Sequence, residues 1–173
     1  LASIPPGSVL KRRTVQVALG PGNGTPVRAD QLLYRTTGQR GEPTVTVTTI
    51  LRSFTVKVLP RVVGYLSFYD GLSSQCSPSY TLSGGTEGDD AIHQQAQEEA
   101  LLILWYLAQG NVVTVPDFEG TGLPWMAGRE SGYNTLDAIK ATESFLGLTT
   151  RPKVGLSGYS GGSVAANWAF ELA

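Results

Sequence analysis

The first third of the chain carries its apolar positions at strand period. Thr44-Val45-Thr46-Val47-Thr48-Thr49-Ile50-Leu51 alternates β-branched residues two by two, the pattern of a half-buried antiparallel strand. Arg12 to Ala18 and Gln31 to Thr37 read as earlier strands, the second closed by Gly38. Val62-Val63-Gly64-Tyr65-Leu66-Ser67-Phe68 is mostly apolar and ends at Tyr69-Asp70-Gly71, which predicts a strand inside the sheet.

After residue 71 the rhythm changes. Residues 71–90 are rich in Gly, Ser and Pro and read as loop. A helix is expected from about Asp90 to Gln109, polar in its first half and apolar all round in its second, with Gly110 just past its end. Val112 to Val115 reads as a strand, Tyr133 to Phe145 as a helix with Leu136, Ile139 and Phe145 on one face, and Lys153 to Leu156 as a strand. A last helix runs from Ser160 to Leu172. Antiparallel strands followed by strand–helix alternation predict an α/β class, with a mixed, mostly parallel sheet and helices on both faces.

Composition narrows the partners. The 173 residues carry 13 basic and 14 acidic side chains, and no basic run exceeds Lys11-Arg12-Arg13, so neither nucleic acid nor an anionic membrane is an expected partner. The longest strongly apolar run, Ala100 to Ala108, is far shorter than the roughly 20 residues of a membrane span. No initiator Met and no signal pattern begin the chain, so its N-terminus reads as processed or engineered. The sequon Asn23-Gly24-Thr25 lies in a turn-rich stretch that suits a glycan acceptor. Cys76 is the only cysteine, either a buried thiol or an odd half-cystine whose partner lies elsewhere.

The chemistry concentrates at Gly158-Tyr159-Ser160-Gly161-Gly162, a G-x-S-x-G pattern directly after a strand and directly before a helix. The spacing has a mechanical cause. A serine on so tight a bend needs neighbours without Cβ atoms, and the bend lifts its hydroxyl to the positive end of the following helix, where developing negative charge is stabilised. Ser160 is thus the candidate nucleophile and the Gly161 amide one oxyanion donor. A second donor is expected from the loop after Val62–Phe68, at Tyr69, Asp70 or Gly71.

The base is harder to find. In this fold the triad runs serine, acid, histidine along the chain. His93 is the only histidine, precedes Ser160 and falls in the polar half of a helix, where a solvated imidazole is expected. Asp117 and Glu119 also precede the serine, and Glu171 lies on the serine's own helix, so none fits the acid position. A serine mechanism of this kind calls for neither cofactor nor metal. Trp125-Met126 reads as core packing or as the lining of an acyl channel.

With these residues in hand, the chain resembles the fungal secretory lipase family. The likeness rests on Tyr34-Arg35-Thr36-Thr37, on Tyr69-Asp70 followed by Cys76-Ser77-Pro78-Ser79-Tyr80, and on Val115-Pro116-Asp117-Phe118-Glu119-Gly120. It continues through Ala127-Gly128, Gly132 and Leu136-Asp137 to the Ser160 pentapeptide. The resemblance implies the α/β-hydrolase fold and a secreted carboxylic-ester hydrolase acting on acylglycerols beneath a cap inserted after the nucleophile helix. It implies Ser160 as nucleophile, and Asp70 (main chain and a protonated side chain) with Gly161 as oxyanion donors. It also implies a pairing of Cys76 with a later cysteine. Residues 1–173 then form the N-terminal part of one domain. A parallel strand at 153–156 would be left near an unpaired apolar edge, so a nick near Ala173 and a second, C-terminal polypeptide completing the sheet are expected. A short-chain ester deacetylase, an acyltransferase, a peptidase or a non-catalytic binding module are the competing functions.

Overall fold

The computed structural model describes residues 1–20, 24–54, 61–84, 90–148, 150 and 152–173, and of residues 18 and 90–97 the backbone. Six strands, β1 (Val9–Leu19), β2 (Thr25–Thr37), β3 (Pro43–Arg52), β4 (Val62–Leu66), β5 (Val112–Pro116) and β6 (Val154–Gly158), form one sheet in the order β1-β2-β3-β5-β4-β6. The helices are α1 (Pro78–Thr81), α2 (Asp90–Ala108), α3 (Gly128–Leu146) and α4 (Gly161–Leu172).

The sheet is mixed, as expected, but not mostly parallel. β1/β2, β2/β3 and β3/β5 are antiparallel, while β4 lies parallel between β5 and β6. The three long N-terminal strands carry the antiparallel share, and the short parallel strands are those fed by helical crossovers.

Side-chain alternation places helices on both faces. On one face Val63, Tyr65, Val113 and Val115 pack with Ala100, Ile103 and Leu107 of α2. On the other, Leu32, Tyr34, Ile50 and Val112 meet Ala138 and Ala141 of α3, and Leu66 meets Ala165 of α4. Each fully buried aliphatic side chain contributes about 1.5–3 kcal/mol of transfer free energy, so the two apolar layers hold the helices against the sheet. Among the described residues β1 and β6 are the outer strands; β6 is bonded to β4 alone, and Val154 is 43% exposed.

Two elements differ from the sequence reading. The loop 71–84 contains a 3₁₀ turn at Ser74–Cys76 and the single-turn α1, with Pro78 at its first position. α3 begins at Gly128, five residues before the expected start, because Gly128 and Gly132 face Trp168 of α4. The glycines lower local helix propensity and yet let the two helices approach closely.

Candidate functional site

β6 ends at Gly158, α4 begins at Gly161, and Ser160 stands between them with φ 52° and ψ −124°. That backbone region is one an L-residue enters only when its surroundings force it, at about 1–3 kcal/mol. The surroundings here are the outer glycines. A Cβ on Gly158 would overlap the Gly162 carbonyl, and one on Gly162 would overlap the Leu66 carbonyl of β4. The turn is closed by Gly162 N–H donating to the Tyr159 carbonyl at 2.9 Å, and by Ser163 donating to the Ser160 carbonyl through N–H at 2.9 Å and Oγ at 2.6 Å. Ser160 is exposed. No protein acceptor among the described residues takes the Gly161 N–H, which lies in the first turn of α4 where the helix dipole is positive.

The loop after β4 supplies the opposite wall. Of its three candidate residues, Tyr69 is buried against Phe118, ring centroids 4.9 Å apart, and its Oη accepts the Glu119 N–H at 3.1 Å. Gly71 packs on Cys76, whose side chain is half-buried and unpaired. Asp70 alone is exposed, and its Oδ1 lies so close to Gly161 that a Cβ there would overlap it. Ser160, Gly161 and Asp70 therefore converge, from two loops at the same ends of adjacent parallel strands.

Three buried carboxyl groups brace that loop; the sequence offers Asp117 and Glu119 only as triad acids and Glu99 not at all. Glu99 of α2 accepts Ser67 Oγ at 2.5 Å and Phe68 N–H at 2.9 Å, and burial raises its pKa against those bonds. Asp117 accepts the Ser79 N–H at 2.8 Å and Oγ at 2.6 Å; burial outweighs both bonds and lifts it to about 6. Glu119, 2% exposed, is lifted to about 7 by burial and by the charge of Asp70, against a hydrogen bond from the Gly71 N–H. The chain-order rule for triad acids set Asp117 and Glu119 aside; the signal present was a pair of acids in an otherwise apolar strand end.

The remaining sequence candidates lie elsewhere. Asn23 and the His93 side chain fall outside the described residues. Trp125 and Met126 are 61% and 50% exposed among the described residues, outside the apolar layers of the sheet, and Met126 sits at φ 58°. Among the described residues there is no metal-binding cluster of His, Cys, Asp or Glu, and no helix is long and apolar enough to cross a membrane.

A mixed sheet with crossover helices on both faces and a strained serine between a strand and a helix is the α/β-hydrolase fold. The secretory lipase family model matches residues 87–173, and the chain belongs to that family. The chain is 32% identical to Candida antarctica lipase A in its closed state, with a TM-score of 0.88, covering 99% of this chain and 39% of that structure. It is 38% identical to a secreted triacylglycerol lipase of Malassezia furfur over 98% of this chain and 36% of the relative. A probable inactive lipase of Mycobacterium tuberculosis is 40% identical over 96% of this chain and 37% of its own length. The chain thus spans a little over a third of the relatives it matches. Their further length belongs to the same polypeptide, so the expected nick and separate C-terminal chain gain no support from them.

Proposed function

We propose that this chain is the nucleophile-bearing N-terminal part of a single α/β-hydrolase domain in a secreted carboxylic-ester hydrolase, with acylglycerols as substrates. Ser160 Oγ attacks the ester carbonyl, the Gly161 amide and Asp70 stabilise the resulting oxyanion, and the alcohol leaves to give an acyl-serine that water hydrolyses. The triad acid and histidine come from sequence that follows the nucleophile helix in proteins of the relatives' length. Cys76 pairs with a cysteine of that later sequence, and Asn23 carries a glycan. The secreted triacylglycerol lipases of the family support the substrate class and the location. The observation that carries the mechanism is the backbone of Ser160, held at φ 52° beside an amide with no protein acceptor among the described residues.

A second reading has its own support. The relative named a probable inactive lipase is the more similar of the two sequence relatives described, which favours a binding module that keeps the bend without catalysis. A fluorophosphonate probe separates the two in the full-length gene product. Stoichiometric labelling at Ser160, lost in Ser160→Ala, is expected for the hydrolase. Absence of labelling in a folded, monodisperse sample overturns it in favour of the binding module. Turnover of p-nitrophenyl esters across chain lengths then divides lipase from short-chain deacetylase.

A further inference from the structure

The strand that carries the oxyanion loop outruns its own sheet. The last residue of β4 in register is Leu66, opposite Gly158 of β6, and Ser67 and Phe68 continue beyond it to Tyr69 and Asp70. Polar groups that leave a sheet need other partners, because a buried donor left unpaired is costly. Glu99 supplies them. It is buried on the side of α2 that packs against the sheet, one turn before Ile103. Ser67 donates its Oγ–H to Glu99 Oε2 at 2.5 Å, Phe68 donates its N–H to Oε1 at 2.9 Å, and the Tyr65 hydroxyl also hydrogen-bonds the carboxyl. A leucine at 99 would serve the apolar layer, so packing alone gives no reason to bury an acid there.

The opposite side of the same stretch meets the serine bend. A Cβ on Gly162 would overlap the Leu66 carbonyl oxygen and crowd that of Ser67. The Phe68 ring stands edge to face against Tyr159, centroids 5.9 Å apart at 85°. Two residues further on, Asp70 lays its Oδ1 against Gly161. Residues 66–70 thus lie between α2 and the bend, touching the residue before Ser160 and the two after it.

We propose that Glu99 is a positioning residue of this site, a role that rests on Ser160 being the nucleophile. Its carboxyl clamps Ser67 and Phe68 from α2, which keeps Asp70 against Gly161 and the Phe68 ring against Tyr159. The clamp therefore sets the spacing between the serine bend and the loop that faces it, the gap in which an ester carbonyl has to lie. Glu99 touches no substrate and transfers no proton.

The test is made in the full-length gene product with p-nitrophenyl esters. Glu99→Leu keeps the apolar layer filled and removes both acceptors. It should lower kcat about 10- to 100-fold with KM nearly unchanged, the loss expected when reacting groups shift by about 1 Å. Glu99→Gln should restore kcat to near wild type, since its Oε1 still accepts the Phe68 N–H and its amide can donate to Ser67 Oγ. Equal losses in the two variants, or wild-type kcat in Glu99→Leu, overturn the proposal. A lower Tm with kcat unchanged makes Glu99 a structural residue only, and overturns it too. Should Glu99→Leu fail to fold, Ser67→Ala decides: removing one bond should lower kcat about 3- to 10-fold, and wild-type kcat there sinks the idea.

Hydrogen exchange at the Phe68 amide reads the clamp without catalysis. Exchange should be at least about 10-fold faster in Glu99→Leu than in wild type or Glu99→Gln, and an unchanged rate means there is no clamp. If that amide behaves as expected while wild type takes no fluorophosphonate, the nucleophile assignment has failed, and the positioning role falls with it while the contact stands.

Discussion

Asp70 Oδ1 lies against Gly161 so closely that a methyl group on residue 161 would occupy its place. The neighbouring Gly162 has an equally tight contact of a different kind, with the main-chain carbonyl of Leu66 in β4. Adjacent glycines thus serve different ends. Asp70 is exposed and can swing aside, whereas a strand carbonyl cannot.

Gly161→Ala should therefore fold normally and lose activity, and Gly162→Ala should unfold easily. For Gly161→Ala in the full-length gene product we expect a fall in kcat of about 10²-fold, the usual value of one oxyanion donor, with the melting temperature nearly unchanged. For Gly162→Ala in the chain itself we expect a loss of about 1–3 kcal/mol from overpacking against β4. Urea unfolding and ester turnover measured side by side check both; equal stability losses would show that the two contacts are alike.

The strain at Ser160 makes its own prediction. At φ 52° and ψ −124° the Cβ is the source of the conflict, so removing it should relieve the fold. Ser160→Gly should be more stable than Ser160→Ala by about 1 kcal/mol, part of the relief being offset by the extra freedom glycine gives the unfolded chain. Neither variant should take a fluorophosphonate. Thermal unfolding with Ser160→Ala at or above Ser160→Gly would mean that the bend is not strained.

The bend itself was legible because its chemistry is local: a serine between glycines, after an apolar strand and before a helix, within ten residues. The β-branched alternation of residues 44–51 likewise marked β3, bounded at 43–52. What escaped was set by distant contacts. Glu119 and Asp117 acquire their surroundings from Tyr69, Gly71 and Ser79, about forty to fifty residues away, and the local signal, two acids at an apolar strand end, does not name those partners. The early start of α3 was hidden by Gly128 and Gly132, which read as breakers alone and as packing surfaces only once α4 is in place. The antiparallel majority depended on strand order, since β3 pairs with β5 across a gap of about sixty residues that no local pattern spans.

Gly132 turns that last point into a test. In the interior of α3 a Gly→Ala change ordinarily stabilises a helix by about 1 kcal/mol. Here the added Cβ would lie 2.8 Å from the Trp168 carbonyl carbon and 2.9 Å from its oxygen, both main-chain atoms of α4. Packing should win over propensity, and Gly132→Ala should destabilise the chain by about 1–3 kcal/mol in urea unfolding. A stabilising effect would mean that α3 and α4 do not meet at this distance.

Asp117 offers a pH dependence whose sign can be worked out. Its side chain receives both the N–H and the Oγ of Ser79, bonds that favour the charged form, yet burial prevails and lifts its pKa to about 6 from an ordinary 3.8. The folded state therefore binds the proton more tightly than the unfolded chain. Its contribution is fully present below about pH 4, declines as pH rises toward 6 and is constant above that. Asp117→Asn keeps an acceptor for the Ser79 amide and cannot titrate. The difference in unfolding free energy between wild type and Asp117→Asn, measured by urea titration at closely spaced pH values, should thus shift against wild type by a few kcal/mol at most between pH 4 and 6. Other carboxyl groups titrate in the same range, but they do so in both proteins and cancel in the difference. A difference that grows in favour of wild type over this window would mean that the Ser79 bonds outweigh burial, and that Asp117 anchors the 77–80 segment as a full charge.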